Sequence, residues 1–294
     1  MTAKTSERRG QLSNVLTAAG LAVSLLLGAV HFCAASAHPA LGEWDALEAG
    51  LELGRFNTEG ATPVDDSIVV VLRVDPELWD MAFYCASEKL GEQWWDASDW
   101  ADAHGLTVAT NAGMFAEDRV THVGHMSCNG HVNNERRNSY LSVAAFGPMR
   151  DGLPDFRIFD LDAPGVTIDC IREDYGSVVQ NLRLIKRPGE NRWVQQDRMW
   201  SEMALGEDSA GRMLLIFCRS PYSMHDLNRI LLSLPIDLVA AQHLEGGPEA
   251  QLVIRTGETE LELCGSYETD FLPDNSNHRL WPIPNVLGVK RRVE

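Results

Sequence analysis

The sequence predicts a single α+β domain with mixed β-sheets and few helices. Strand-like runs outnumber helical ones by a wide margin after residue 66, and neither a composition break nor a repeat divides that part of the chain. Only residues 96–105 and 223–234 combine capping residues with a helical pattern. With 294 residues and 45% hydrophobic composition, the chain is long enough to bury one sizeable core.

Residues 1–37 have the pattern of a secretory signal peptide. Lys4, Arg8 and Arg9 precede a long apolar run, and the small residues Ala35-Ser36-Ala37 follow it. We therefore expect cleavage after Ala37 and a periplasmic or secreted protein with no stable membrane span. An uncleaved N-terminal anchor is the alternative, because the apolar run approaches the length of a membrane span.

Each predicted element has its own local signal. Apolar and β-branched runs predict strands, Asp-Pro and Arg-Pro-Gly predict turns, and capping residues ahead of apolar positions at helical spacing predict two helices. Residues 38–66 contain Gly, Pro and acidic residues and are predicted to be a lead-in, which leaves the domain proper at 67–294. The predicted elements are, in order, strands at Ile68–Val74 and after Asp75-Pro76, a helix from Asp96 or Ser98 to Gly105, strands at Leu106–Thr110, 139–147, 156–161, 165–174, 177–185 and Arg212–Arg219, a helix with Ser223 as N-cap, and strands at Leu238–Leu244, Gln251–Arg255 and within 279–292.

Charge and cysteine usage limit the function classes. A formal net charge of −17 argues against nucleic acid as a partner, because a phosphate backbone would be repelled. An anionic substrate would need a locally positive pocket. Five of the six cysteines lie beyond the predicted leader, and an odd number in an oxidising compartment leaves at least one thiol unpaired.

The polar stretch 115–138 is predicted to be a long loop or a short hairpin, and long loops in compact domains are usually functional or disordered. His122, His125, His131 and Cys128 lie within it. Imidazole and thiolate groups suit zinc, so a metal-dependent hydrolase built on the His122–His131 loop is one hypothesis. Because the spacing matches no zinc pattern, no metal or other cofactor is assigned. His125 is instead predicted to be a catalytic acid or phosphate donor.

The stretch AAQHLEGGPEAQL, residues 240–252, places Glu245 at the end of a predicted strand, before Gly246 and Gly247. Glycines let the backbone approach a ligand closely. A second corner, Asn111-Ala112-Gly113, follows the predicted strand Leu106–Thr110. The alternatives are an exposed acid in an ordinary turn, and an Asn that caps the strand by bonding to backbone groups.

These two corners carry a resemblance to a known family. The blocks DASDWADAHGLTVATNAGMF, SVVQNLRLI, EMALGEDSAGRMLLIF and SMHDLNRILLSLPIDLVAAQHLEGGPEAQL, in this order and spacing, resemble the phosphodiester glycosidase domain family across about residues 67–290. The resemblance implies that fold and a secreted or envelope hydrolase that cleaves a sugar from a sugar-1-phosphate diester. It also implies that Asn111, Gly113, Gly246 and Gly247 position the substrate while Glu245 acts at C1 as base, nucleophile or electrostatic stabiliser.

The chain departs from the family pattern at three positions. Glu245 replaces the usual Asp, Glu249 stands where a Ser is common, and Glu202 lies in a segment that often begins with an Arg. The two changes toward negative charge would repel a phosphodiester. We expect Arg198 to supply the missing guanidinium. The alternative is a non-catalytic glycan-binding protein of the same fold.

Overall fold

The computed structural model describes residues 41–58, 62, 64, 66–89 and 91–293, and this part of the chain is mostly β-sheet. The predicted signal peptide lies outside the described residues. No helix within the described ranges is long and apolar enough to cross a membrane. All five cysteines in these ranges, at positions 85, 128, 170, 218 and 264, are free thiols.

The described residues form eighteen strands and three α-helices. The strands are β1 Trp44–Glu48, β2 Leu51–Asn57, β3 Ile68–Val74, β4 Trp79–Cys85, β5 Val108–Asn111, β6 Met126–Cys128, β7 His131–Asn134, β8 Ser142–Pro148, β9 Phe156–Asp160, β10 Tyr175–Asn181, β11 Arg183–Lys186, β12 Glu190–Asn191, β13 Trp200–Asp208, β14 Met213–Tyr222, β15 Leu238–Gly246, β16 Gln251–Arg255, β17 Glu260–Cys264 and β18 Asn285–Arg291. The helices are α1 Ala97–His104, α2 Ile168–Asp174 and α3 Met224–Ser233.

Three sheets organise these strands. The eight-stranded sheet has the order β1-β2-β3-β14-β13-β15-β11-β12, and the two five-stranded sheets have the orders β7-β6-β10-β8-β9 and β17-β16-β5-β18-β4. The predicted α+β class with few helices is confirmed. Each pair of neighbouring strands in the described ranges runs antiparallel, so the sheets are uniform in direction where the sequence predicted mixed sheets.

The largest core lies between the sheets. It takes residues from all three, and β3 shows how one strand serves two cores: Val70 and Leu72 face this core, whereas Val69 and Val71 face a second core under α3. Because successive side chains of a strand point to opposite faces, a strand buried on both faces is apolar at nearly every position; in β3 the exception is Arg73, which is paired with Glu52. This explains the β-branched run that predicted β3.

The helix signals have clear local causes. Asp96 caps α1 through a reciprocal capping box with Asp99, and Gly105 ends the helix at φ 59°, in the left-handed region. Ser223 caps α3 by accepting a hydrogen bond from the backbone N–H of Asp226. Both caps agree with the prediction.

Two further sequence interpretations differ from the structure. The stretch 165–174, predicted as a strand, ends in α2, because the Thr167 side chain accepts a hydrogen bond from the backbone N–H of Cys170 and caps a helix there. The lead-in 38–66 contains β1 and β2, and β2 pairs with β3 along its length. Leu51 and Leu53 of β2 are buried in the largest core, so this segment contributes directly to the domain.

Candidate active site

The ends of β13 and β15, adjacent strands of the eight-stranded sheet, bring three ionisable side chains together. Met203 pairs with Glu245 and Ala204 pairs with His243, so Leu244 is an extra residue in β15 and forms a bulge. Bulges re-aim side chains and occur often beside active sites. Here the bulge separates His243 from Glu245 at the point where β15 leaves the sheet.

His243 and Glu202 form a buried pair. His243 Nδ1–H donates to Glu202 Oε1 at 2.7 Å, and Trp200 Nε1–H donates to Glu202 Oε2 at 2.8 Å. The side chains of Glu202 and His243 are 0% and 5% exposed. Burial opposes a charge on His243, but the charge and hydrogen bond of Glu202, with Glu245 and Glu268, outweigh it and raise the pKa of the imidazole. The negative charge that Glu202 brings to this segment, where the family often has an Arg, is therefore paired with the positive charge of His243.

Glu245 is an acid held in its neutral form by its surroundings. Burial raises its pKa to about 8 against the opposing charge of His243, and Glu249 and Glu268 add to the rise. The backbone N–H of Gly246 donates to Glu245 Oε1 at 3.1 Å and favours the ionised form. Perturbed acids of this kind are characteristic of functional sites.

Near Glu245 lie two further acids, and for each of them the charge of an arginine opposes the rise in pKa that burial causes. Burial raises the pKa of Glu249, and Arg119, whose guanidinium lies 3.8 Å from that carboxylate, lowers it. Burial also raises the pKa of Glu268, and the charges of Arg198 and His243 lower it. The cluster thus mixes four acids with one histidine and two arginines, which reduces the repulsion that an anionic substrate would meet.

The glycine pair after Glu245 is required by close packing. A Cβ on Gly246 would lie 2.6 Å from the indole Cδ1 of Trp200. Gly247 has φ +61°, and a Cβ there would lie 2.7 Å from Glu268 Oε2. The glycines therefore bring Trp200 and Glu268 against the backbone that follows Glu245.

Asn111 ties the first sequence corner to the second. Its Nδ2–H donates to the carbonyl of Glu249 at 2.9 Å, and its Oδ1 accepts from the backbone N–H of Gln251 at 2.8 Å. Asn111 is 1% exposed. The structure therefore brings the Asn-Ala-Gly and Glu-Gly-Gly corners together. Both the N–H and the oxygen of the Asn111 side-chain amide are bonded to backbone groups that follow Gly247.

Gly113 lies against the start of the His-rich stretch. Its φ is +152°, and a Cβ there would collide with the side chains of Asn181 and His122. Asn181 Nδ2–H donates to the Ala112 carbonyl at 3.0 Å, while its buried Oδ1 has no hydrogen-bond partner. The corner is therefore closely packed, and the Asn181 amide oxygen in it is buried without a hydrogen-bond partner.

The side chains of the His122–His131 loop do not converge. His122 Nε2–H donates to the Gln180 carbonyl at 2.9 Å, His131 Nε2 lies 2.7 Å from Ser87 Oγ, and Cys128 Sγ–H donates to the Phe83 carbonyl at 3.0 Å. Burial lowers the pKa of His122 to about 4, so this ring is neutral. No group of three or more His, Cys, Asp or Glu among the described residues is arranged to hold a metal ion.

His125 is buried in a different charge environment from Glu245. Burial lowers its pKa, the positive charges of Arg172 and Arg137 lower it further, and the Glu135 backbone and Asp169 oppose them. The acids around Glu245 are not among the groups that shift this pKa. Its predicted catalytic role stays a prediction, and the structure presents His243 as the histidine beside the acid cluster.

Arg198 lies at the rim of the cluster. It is exposed, it forms no ion pair with Asp197 or Glu202, and its charge acts on Glu268. An exposed guanidinium beside the cluster is available to an anionic ligand. Its predicted role as a phosphate donor remains compatible with this placement.

Three members of the cluster were not predicted from the sequence as site residues: His243, Glu268 and Arg119. His243 had a usable signal, because it precedes Glu245 by two residues on a predicted strand and so belongs to the same strand end. The other two come from distant loops, and only the fold shows that they meet.

The chain is similar to one protein family and to several solved structures. The family model described as phosphodiester glycosidase matches residues 104–290. Among solved structures, the chain is similar to the catalytic domain of zebrafish N-acetylglucosamine-1-phosphodiester alpha-N-acetylglucosaminidase auto-inhibited by its pro-peptide, with a TM-score of 0.61, 15% identity, and coverage of 83% of this chain and 84% of that one. It is also similar to a hypothetical protein from Synechocystis, with a TM-score of 0.54, 13% identity, and coverage of 83% and 62%. Such low identities show the shared fold alone. No curated protein sequence matches the chain.

Proposed function

Because the chain belongs to the phosphodiester glycosidase family, we propose that it hydrolyses a glycosyl phosphodiester, a sugar-1-phosphate whose phosphate is esterified to a second alcohol. We place this substrate in an envelope or extracellular glycan, in keeping with the predicted signal peptide. The observation that carries the proposal is the buried cluster in which Glu245 lies with His243 and Glu202.

The reaction sets the demands on this cluster. Cleavage of the C1–O bond builds positive charge on the sugar ring, which an ionised carboxylate beside C1 stabilises. The departing phosphate monoester is a good leaving group, so it needs hydrogen-bond donors more than a strong acid. The proposed site therefore has an acidic half for the ring and a donor half for the phosphate.

Glu245 is the proposed carboxylate. Its burial and raised pKa mean that it ionises only near pH 8, and an ion in such a dry environment interacts strongly with a developing charge. Acting as an anion, it stabilises C1 and serves as base or nucleophile.

His243 is the proposed phosphate donor. Its Nδ1–H is bonded to Glu202, which fixes the ring orientation, and no group of the described residues occupies its Nε2. The imidazolium stabilised by Glu202 can donate Nε2–H to a phosphate oxygen, by the same logic as an acid that orients a catalytic histidine. Arg198, at the rim beside Glu268, is the second proposed donor.

The non-catalytic binding protein is the other hypothesis. It would be favoured by an acid cluster with no cationic group directed toward it. His243, which lowers the pKa of Glu245 and bonds to Glu202, supports the enzyme instead.

The direct test is a hydrolysis assay of the purified protein lacking residues 1–37 on a panel of sugar-1-phosphate methyl diesters. We expect the wild type to release free sugar, and Glu245→Gln to lower kcat by at least about a hundredfold. Glu258→Gln, which changes an exposed glutamate, is the matched control and should keep wild-type kcat. A Glu245→Gln variant as active as the control would remove the assigned role from this carboxylate.

A further inference from the structure

Glu268 lies against the turn that follows Glu245. A Cβ on Gly247 would lie 2.7 Å from Glu268 Oε2 and 3.0 Å from Glu268 Cβ, so this side chain packs on the backbone of that turn. The negative charge of Glu268 raises the pKa of both Glu245 and His243. Glu268 lies between β17 and β18, whereas Glu245 and His243 lie on β15. Two separate segments therefore contribute carboxylates to one site.

The Glu268 carboxylate differs from the other acids of the cluster in its contacts. Glu202 is bonded to His243, and Glu249 lies 3.8 Å from Arg119. Within the described ranges, Glu268 is the one acid of the cluster whose side chain forms neither a hydrogen bond nor an ion pair. It is half-buried, and solvent reaches its oxygens. This carboxylate is therefore available to a water molecule.

The backbone that carries Glu268 is fixed by hydrogen bonds. The Glu268 N–H donates to the Leu272 carbonyl at 3.0 Å, and the Leu272 N–H donates to the Glu268 carbonyl at 3.0 Å. The N–H of Ser201, beside Glu202 on β13, donates to the Tyr267 carbonyl at 2.8 Å. The loop is therefore joined to the strand that holds part of the candidate active site.

Arg219 holds the same loop on both sides of Glu268. Its guanidinium donates to the Cys264 carbonyl before Glu268, and after it to Asn275 Oδ1 at 3.0 Å and to the Asn277 carbonyl at 2.7 Å. The backbone of the loop is thus held in place while the Glu268 carboxylate has no partner. A fixed backbone that presents an unbonded side chain is the arrangement that preorganised catalytic groups need.

Hydrolysis of the proposed substrate requires one proton transfer from water. The departing phosphate needs hydrogen-bond donors more than an acid, so the proton that must be removed belongs to the attacking water. Burial raises the pKa of Glu268, and the charges of Arg198 and His243 oppose the rise. A carboxylate whose pKa lies above its ordinary value is a better proton acceptor than a fully solvated one.

Building on the proposed function, we propose that Glu268 is the general base that takes a proton from the water attacking C1. The water oxygen forms a bond to C1 as the bond between C1 and the phosphate oxygen breaks. The electrons of the broken bond leave with the phosphate, and the proton of the water passes to the Glu268 carboxylate. The base is then a second carboxylate, and the anion of Glu245 stabilises the charge at C1.

The test uses the sugar-1-phosphate methyl diester that the wild type cleaves fastest. We expect Glu268→Ala to lower kcat at least about a hundredfold, because the attacking water loses its base. Azide attacks carbon without giving up a proton, so sodium azide should raise the turnover of this variant at least about tenfold and yield the glycosyl azide, detected by mass spectrometry. Sodium chloride at the same concentration should restore no activity.

Two controls separate a base from a structural residue. Glu258→Ala, which changes an exposed glutamate, should keep wild-type kcat and gain nothing from azide. Because the Glu268 side chain bonds to no described residue, Glu268→Ala should also melt at the wild-type temperature, as followed by circular dichroism. If that variant does not fold, the isosteric Glu268→Gln is used for the same kinetic comparison with and without azide.

The possible results distinguish this role from the proposed function. A variant that keeps wild-type kcat, or a loss of kcat that azide does not restore, would overturn the role of Glu268 while the active wild type still upholds the proposed function. A wild type that cleaves no diester of the panel would reject the proposed function, and the base with it. Glycosyl azide formed by the Glu268 variant, and not by Glu258→Ala, supports the assignment.

Discussion

At the residue scale, the central feature is a carboxyl group kept neutral by its surroundings. Glu245 is 9% exposed, and burial outweighs the favourable charge of His243, so its pKa rises to about 8. The sequence predicted this residue from its position before two glycines. It did not predict the protonation state, because that depends on how deeply the fold buries Glu245 and on Glu268 approaching from a separate segment.

The raised pKa predicts how the rate depends on pH. If Glu245 acts as an anion, kcat/KM rises about tenfold per pH unit from pH 5 toward pH 8, since the ionised fraction of Glu245 sets the rate. At higher pH the rate falls once the imidazolium of His243 loses its proton. The measurement is a pH profile of kcat/KM between pH 5 and 9 on a methyl diester. A kcat/KM that does not rise between pH 5 and pH 7 would contradict an anionic Glu245.

The same pKa predicts a stability effect. The unfolded chain ionises Glu245 near its ordinary pKa of about 4.3, whereas the folded protein keeps the proton up to about pH 8, so this residue costs stability as pH rises between these values. Glu245→Gln should therefore gain stability relative to wild type, by up to about 1.4 kcal/mol per pH unit across that window. Urea unfolding at pH 5 and pH 7.5 measures the difference; a gain that does not grow with pH speaks against the buried, protonated acid.

At the element scale, strand ends bring the site together. β5 ends at Asn111 and β15 ends at Gly246, and the Asn111 amide bonds to the turn between β15 and β16. The sequence indicated both strand ends, because each apolar run stops at a Gly-containing corner. The predicted strand at residues 165–174 is wrong. This apolar stretch is too short for its hydrophobic period to distinguish a strand from a helix, and the Thr167 N-cap begins a helix there.

The Asn111 clamp gives a prediction at this scale. Asn111→Ala leaves the carbonyl of Glu249 and the N–H of Gln251 without their partners in a buried position, which should cost on the order of 2 kcal/mol or more of unfolding free energy. Asn57→Ala, at the exposed end of β2, should change it by less than about 0.5 kcal/mol. Chemical denaturation of both variants decides the matter, and an Asn111→Ala protein as stable as the control would mean that the two corners are held together by other contacts.

At the scale of the whole molecule, the fold class and the family follow from the sequence more readily than the site does. The continuous strand runs, the two well-capped helices and the order of the Asn-Ala-Gly and Glu-Gly-Gly corners were enough, and the family match over residues 104–290 confirms the resemblance. The part played by residues 44–57 was not predicted, because β1 and β2 are ordered by pairing with β3 more than by their own pattern. The positions of Arg119, Asn181 and Glu268 likewise depend on how the sheets pack.

The most direct measurement of the central claim is the fate of solvent oxygen when a sugar-1-phosphate methyl diester is hydrolysed in ¹⁸O-labelled water. If Glu245 acts at the sugar carbon, water attacks C1, and the released methyl phosphate contains no ¹⁸O by mass spectrometry. If the label instead appears in the methyl phosphate, water attacks phosphorus, and the cluster around Glu245 belongs to a phosphodiesterase rather than a glycosidase.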